Sequence, residues 1–371
     1  MKNKPIINQR LSRLICAALG ILLLFGMTAV PQQSVSAAAN WPANADFEQG
    51  RNVGWQESST SGAPIVWNAG LYGPPAHSGN WMAYLGGLNS ETSTLSQTLT
   101  ILPDTKMVFW YRIVSVYSCG TSFGRILFNS TVVKSWDLCS ASNTNNWTMD
   151  TVDLSDFAGQ TGTLQFVSQT TQTNYSAWLI DDIIFYDVFL DVPMNDPFAS
   201  FVKAFYDAGI TSGCTTSPRL FCPGGTVTRG QMAVFIERAL GNFSPNPSPR
   251  GMFADLSPSD PFTPYIEEFY NAGITTGCTT NPLRYCPNGP VTRGQMAVFI
   301  ERALGNFSPN PSPRGMFSDV PASHPFALFI EEFYNAGITS GCRANPLMYC
   351  PDAPVTRGEM AVFIVRAFGL P

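Results

Sequence analysis

Apolar residues between Phe189 and Leu370 recur on two nested periods. Within a unit they follow a helix: Phe198, Phe201, Val202, Phe205 and Tyr206 fall at i, i+3, i+4, i+7 and i+8, one stripe along a helical surface. The spacing predicts a helix over 196–208, ended by Gly209, because glycine tolerates the left-handed backbone of a helix terminus. Across units the stripe returns every 64 residues. It reads Phe262, Tyr265, Ile266, Phe269, Tyr270 with Gly273, then Phe326, Phe329, Ile330, Phe333, Tyr334 with Gly337. A second helix is predicted after each capping box, Thr228 with Gln231, Thr292 with Gln295 and Thr356 with Glu359. Met232, Phe235, Ile236 and Ala239 give the first of these its buried face, and Gly241 stops it. A fixed period of this kind marks a repeat architecture, in which each unit buries its apolar face against its neighbours.

Residues 40–188 alternate differently. Short segments switch between apolar and polar residues every second position: Leu95–Ile101, Lys106–Val116, Arg125–Phe128, Val132–Trp136, Thr148–Val152, Thr163–Val167 and Trp178–Tyr186. Gly, Pro and Asn clusters separate them. Many short strands at such spacing predict an all-β sandwich or jelly roll. The chain is therefore multidomain. The expected divisions are 1–39, 40–188, 189–241, 253–305 and 317–371, with Pro/Ser-rich connectors at Gly241–Met252 and Gly305–Met316 that read as extended and semi-rigid.

Charged residues make up 13% of the 371 residues, and the net charge is −5. That balance, without any Lys/Arg run, argues against nucleic-acid binding. Lys2, Lys4, Arg10 and Arg13 precede the apolar stretch Leu14–Val30, and small residues follow at Val35-Ser36-Ala37 and Ala37-Ala38-Ala39. This is the pattern of a secretory signal peptide over 1–39, with cleavage expected after Ala37 or Ala39. An uncleaved membrane anchor is the alternative, and no later stretch is long and apolar enough to span a bilayer.

Cysteine usage agrees with export. Apart from Cys16, the cysteines fall into local pairs: Cys214 with Cys222, Cys278 with Cys286, Cys342 with Cys350, one per repeat, and Cys119 with Cys139. Such pairs in a secreted chain read as disulfides. Closing so short a loop stabilises by roughly 2–3 kcal/mol on the chain-entropy view. Zinc is the competing reading. It is weakened because the only histidines are His77 and His324, neither beside a pair.

Each repeat opens with Phe-x-Asp at Phe189, Phe253 and Phe317, carries Gly-Ile-Thr at Gly209, Gly273 and Gly337, and enters its second helix through Val-Thr-Arg-Gly at Val227, Val291 and Val355. The run Val227–Phe253 is identical to Val291–Phe317. These units resemble S-layer homology (SLH) repeats, which open with Phe-x-Asp-Val and begin their second helix with Thr-Arg-Ala-Glu. The resemblance implies a mainly α, pseudo-threefold bundle whose grooves bind a cell-wall or envelope polysaccharide, often one bearing pyruvate ketals. The family's motif arginine, which contacts the anionic group, falls at Arg229, Arg293 and Arg357. Each would sit in a first helical turn, where free N–H groups and the macrodipole favour an anion, and a guanidinium adds two-pronged carboxylate recognition. The plainer alternative pairs each arginine with an acid such as Asp191, Asp255 or Asp319. Gly230, Gly294 and Gly358 replace the family's usual Ala, and Gln231 and Gln295 its usual Glu.

The N-terminal domain resembles jelly-roll carbohydrate-binding modules of the galactose-binding-like superfamily. The resemblance rests on Asn44-Ala45-Asp46-Phe47-Glu48 with Trp55, on Gly79–Gly87, and on Trp178-Leu179-Ile180-Asp181-Asp182-Ile183. In such folds the first and last strands adjoin, which makes Asp46, Glu48, Asp181 and Asp182 candidates for a structural calcium. Ordinary solvated strand-end acids are the alternative. Trp67, Tyr72, Trp81 and Trp147 are candidate sugar platforms, since sugar C–H faces lie on aromatic planes; core packing is the alternative for each. No nucleophile elbow, phosphate loop or metal-ligand motif appears. Asp181 and Asp182, as strand neighbours, are expected to point to opposite faces, a poor geometry for acid/base work. The expectation is a secreted, non-catalytic surface protein, held on envelope polysaccharide by its repeats and displaying a glycan-binding or protein-binding β-domain. A self-associating surface-layer component and a hydrolase built on the jelly roll are the rivals.

Overall fold

The alternating segments pair into two five-stranded antiparallel sheets. The computed structural model describes residues 41–70, 73–171, 176–245, 249–309 and 312–371; the expected leader over 1–39 lies outside them. The first sheet contains β1 (Gln56–Ser59), β4 (Thr92–Thr100), β9 (Thr161–Gln169), β6 (Phe123–Phe128) and β7 (Thr131–Asp137), in that order. The second contains β2 (Val66–Asn68), β3 (Trp81–Gly86), β10 (Ala177–Tyr186), β5 (Lys106–Val114) and β8 (Thr148–Asp153). Period-2 alternation sends one side chain in two between the sheets. Leu95, Leu99, Ile126, Phe128, Leu164 and Phe166 from one sheet meet Leu85, Met107, Phe109, Ile113, Trp178 and Ile180 from the other in one buried cluster. The disulfide Cys119–Cys139 closes the β6–β7 hairpin from just outside both strands. The sandwich is the expected jelly-roll-type fold, and β1, β2 and β3 are strands that the alternating pattern did not announce.

The repeats form one ring. Each unit has a first helix, α1 (Ala199–Asp207), α3 (Thr263–Asn271) or α5 (Ala327–Asn335), and a second, α2 (Arg229–Ala239), α4 (Arg293–Ala303) or α6 (Arg357–Phe368). Every second helix carries its capping box, and Gly209, Gly273 and Gly337 end the first helices at φ of +70°, +73° and +73°. Between the helices a two-residue hairpin is closed by the disulfides Cys214–Cys222, Cys278–Cys286 and Cys342–Cys350. These hairpins were not legible in the sequence. The acid of each Phe-x-Asp holds its own hairpin: both carboxylate oxygens of Asp191 accept backbone N–H, from Phe221 and Cys222, each at 2.7 Å. Asp255 and Asp319 do the same for Tyr285–Cys286 and Tyr349–Cys350.

Each second helix packs on the first helix of the next unit, α2 on α3 and α4 on α5, and α6 returns to α1. At the centre three backbone bonds close a triangle: Val227 N–H donates to Val355 O at 2.9 Å, Val291 to Val227 at 3.0 Å and Val355 to Val291 at 2.9 Å. The apolar cores of all three units are one cluster. No described helix is long and apolar enough to cross a membrane.

Candidate functional site

The three junctions between repeats are built alike. In each, the residue after the N-cap threonine is an arginine whose side chain crosses into the next unit. Arg229 Nε donates to Tyr285 O at 2.8 Å, Arg293 Nε to Tyr349 O at 2.9 Å and Arg357 Nε to Phe221 O at 2.7 Å. The guanidinium planes lie 4.8, 5.1 and 4.8 Å from the rings of those same residues, a cation–π contact that desolvation strengthens. Burial is nearly complete, with relative exposures of 6%, 3% and 6%. Burial also lowers the pKa of Arg229 and Arg357. The backbone is engaged too: Arg229 N–H bonds Gly289 O and Gly230 N–H bonds Pro287 O, both at 2.9 Å, with the same pattern at the other junctions. The three junctions differ in one respect. Arg293 Nη1 meets Glu359 Oε1 at 2.7 Å, whereas Nη2 of Arg229 and of Arg357 is buried without a hydrogen-bond partner. Where Glu359 stands in the third unit, the others have Gln295 and Gln231.

On the sandwich, the outer face of the second sheet is apolar and aromatic. Register places Tyr84 (β3), Leu179 (β10) and Arg112 (β5) in one row across three strands. Asp181 and Trp110 pair in the next row, and Trp67 pairs with Met82 on the same face. Met82, Ala177 and Leu179 are buried there beneath Trp67, Ala69, Ala76, Tyr84 and Trp147. The loop after β2 folds over this face, with His77 stacked on Trp110 at 4.6 Å and Trp147 edge-on to His77 at 6.0 Å. Trp147 Nε1 donates to Pro75 O at 3.1 Å. Beside it a cavity of about 350 Å³ is lined by Ile65, Trp67, Pro74, Tyr84, Leu88 and others. Burial raises the Tyr84 pKa.

The sequence model of the S-layer homology domain matches residues 188–233 and 253–297. The chain carries S-layer homology domains. An endoglucanase of Bacillus sp. (strain KSM-635) is 30% identical over 138 residues, 37% of this chain and 14% of that protein. A cell surface protein of Thermoanaerobacter kivui is 27% identical over 139 residues, 37% of this chain and 17% of that protein. The chain thus spans under a fifth of the length of these relatives. Among solved structures, the β-sandwich resembles a family 61 carbohydrate-binding module in complex with β-1,4-galactotriose (18% identity, 40% of this chain, 99% of that one, TM-score 0.30). It also resembles a family 16 carbohydrate-binding module (17% identity, 40% and 100%, TM-score 0.28).

Within the SLH body, the expectation that the arginines occupy free helix N-termini is corrected. The first-turn N–H groups are spent on the next repeat and on the threonine caps, and the guanidinium groups are ties between repeats. Nor do they pair with Asp191, Asp255 or Asp319, whose oxygens hold the hairpins. The glycines that replace the family's alanine have a cause in the next unit: a Cβ on Gly230, Gly294 or Gly358 would stand 3.1, 2.7 or 2.7 Å from a ring atom of Phe262, Phe326 or Phe198.

Of the platform candidates, Trp67 and Trp147 lie on the open face, Trp81 packs against the inter-sheet core, and Tyr72 lies outside the described residues. Reasoning from sequence missed Trp110, Tyr84, His77 and Arg112. Alternation along Lys106–Val114 holds the signal for two of them, because Phe109 and Ile113 face the core and so place Trp110 and Arg112 on the other side.

The proposed calcium quartet does not fit. Glu48 accepts the N–H groups of Asn80 and Trp81 at 2.8 and 2.7 Å. Asp181 accepts from His77 and Asp182, both at 2.8 Å, and from Ser78 at 3.3 Å. Asp182 accepts from Ser78 Oγ at 2.8 Å and meets His77 Nδ1, and Asp46 caps Glu48. The acids pin the turn at 77–81, and among the described residues no three of them converge on one point. The opposite-face expectation for Asp181 and Asp182 also fails. A bulge follows Asp181, and Asp182 has φ of +47°, so both carboxylates meet the same loop. Burial, then the charge of Asp182, raises the Asp181 pKa to about 7.

Proposed function

We propose that this protein is a non-catalytic surface protein whose SLH body holds it on an envelope polysaccharide, with the β-sandwich displayed as a glycan-binding module. The closed threefold ring carries the reading. It joins three similarly built units through one core and a closed triangle of backbone bonds, and three modest sites on one such body would bind a repetitive polymer firmly through effective concentration. In this reading the arginines shape the junctions from within. Arg229 and Arg357 each keep a buried Nη2 donor that lacks a partner, whereas Arg293 is neutralised by Glu359. The open aromatic face of the second sheet suits sugar rings, which bury C–H faces on aromatic planes.

Sedimentation of the full chain with purified cell walls tests the anchor. Pelleting with intact walls, and release once the wall polysaccharide is stripped by acid, is the expected result. Equal pelleting with stripped walls removes the polysaccharide from the account.

A further inference from the structure

The outer face of the second sheet contains a cation with no partner among the described residues. Arg112 is half-buried in the row Tyr84–Leu179–Arg112, and its Nε is buried without a hydrogen-bond partner. It forms no ion pair among the described residues. The acids near it are already engaged, Asp181 by three backbone N–H groups and Asp182 by His77 and Ser78. A buried donor left unmade is costly, and arginine is the side chain whose planar fork fits a carboxylate. Tyr84 and Trp147, half-buried and packed over the fully buried Leu179, supply the flat surfaces on which a sugar ring rests.

Resting on the reading of the sandwich as a glycan-binding module, we propose that this face binds a uronic-acid-containing glycan, the sugar rings lying against Tyr84 and Trp147 and the carboxylate on Arg112. A neutral polymer would satisfy the rings and leave Arg112 unpaired, so acidic glycans are preferred over their neutral counterparts.

Affinity electrophoresis of the full chain tests this, in gels containing polygalacturonate, alginate or hyaluronate and in gels of the same polymers after carboxyl reduction. At least one acidic polymer is expected to retard the protein about tenfold more strongly than its reduced form. Arg112→Gln should erase that difference and leave the reduced polymers and wall sedimentation unaffected. Arg112→Lys, which keeps the charge and loses the fork, should restore only part of it. Retardation by no acidic polymer, equal retardation by acidic and reduced forms, or an Arg112→Gln protein that behaves as the parent each overturns the proposal. Trp147→Ala separates the two levels. If it abolishes binding to neutral polymers while Arg112→Gln is silent, glycan binding stands and the acidic preference falls. If neither variant changes retardation in any gel, the glycan-binding reading of the face falls with it.

Discussion

Single side chains set the differences between otherwise equal repeats. Glu359 neutralises Arg293, while glutamine stands at the matching positions beside Arg229 and Arg357, each of which has one buried donor without an acceptor. Glu359→Gln keeps the capping box in the form the other units use, and frees the third arginine. Wall affinity of that variant is expected to rise severalfold in a sedimentation isotherm; an unchanged isotherm takes the arginines out of ligand contact. Glu237 is the second case. It is buried, with one oxygen on Asn242 Nδ2 at 3.0 Å and the other without a partner, and burial raises its pKa to about 7. Its counterpart in the third unit is Val365, so the site accepts an uncharged side chain. Because the folded state holds this proton where the unfolded chain has lost it, stability falls as pH rises from about 4.5 through about 7. Asp181 acts in the same direction. Glu237→Gln should therefore raise Tm at pH 8 and change it little at pH 5, measured by calorimetry.

Helices in this ring are shaped by their neighbours more than by their own propensities. Glycine within a first turn costs up to about 1 kcal/mol relative to alanine, so Gly294→Ala looks stabilising if α4 is considered alone. The added Cβ would stand 2.7 Å from Phe326 and 3.2 Å from Pro351 O, and overpacking of this kind costs about 1–3 kcal/mol. The contact outweighs the propensity. Gly294→Ala is expected to lower Tm by several degrees, and Phe326→Leu in that background to recover part of the loss; a Tm that rises would show that the phenylalanine yields freely.

At the scale of the whole molecule, the first repeat is specialised for what precedes it. Glu267 and Glu331 hold the connectors entering the second and third units, Glu267 by accepting N–H from Arg250 and Gly251 at 2.7 Å and from Met252 at 3.1 Å, Glu331 from Arg314 and Met316. The matching residue in the first unit is Lys203. It meets Asp207 at 3.0 Å, Asp187 at 3.5 Å and Asp104 at 3.7 Å, the last on the loop between β4 and β5. Beneath it Leu102, Pro103, Val188, Val192 and Met194 line an apolar cavity of about 270 Å³. The charge is reversed where the chain arrives from a β-sandwich instead of another repeat. Lys203→Glu, which sets a fourth acid among three, should loosen the sandwich from the ring. A larger radius of gyration by small-angle scattering and faster proteolysis near 187–195, with the helical circular dichroism signal retained, are the expected results; an unchanged radius would place the grip in the apolar cavity alone.

Periodicity and spacing by themselves determined the three repeats, their six helices and the capping boxes of three of them, the disulfide pairs and the strands from β4 onward, since each of these is fixed by residues close in sequence. Only the tertiary structure decided what the arginines touch, because their partners lie 56 or 136 residues away, beyond the reach of any local pattern. The same holds for the acids once assigned to calcium, which a bulge and a folded loop turned into hydrogen-bond acceptors. It holds for Arg112, whose isolation follows from which strands lie beside β5 and which carboxylates other groups had already claimed.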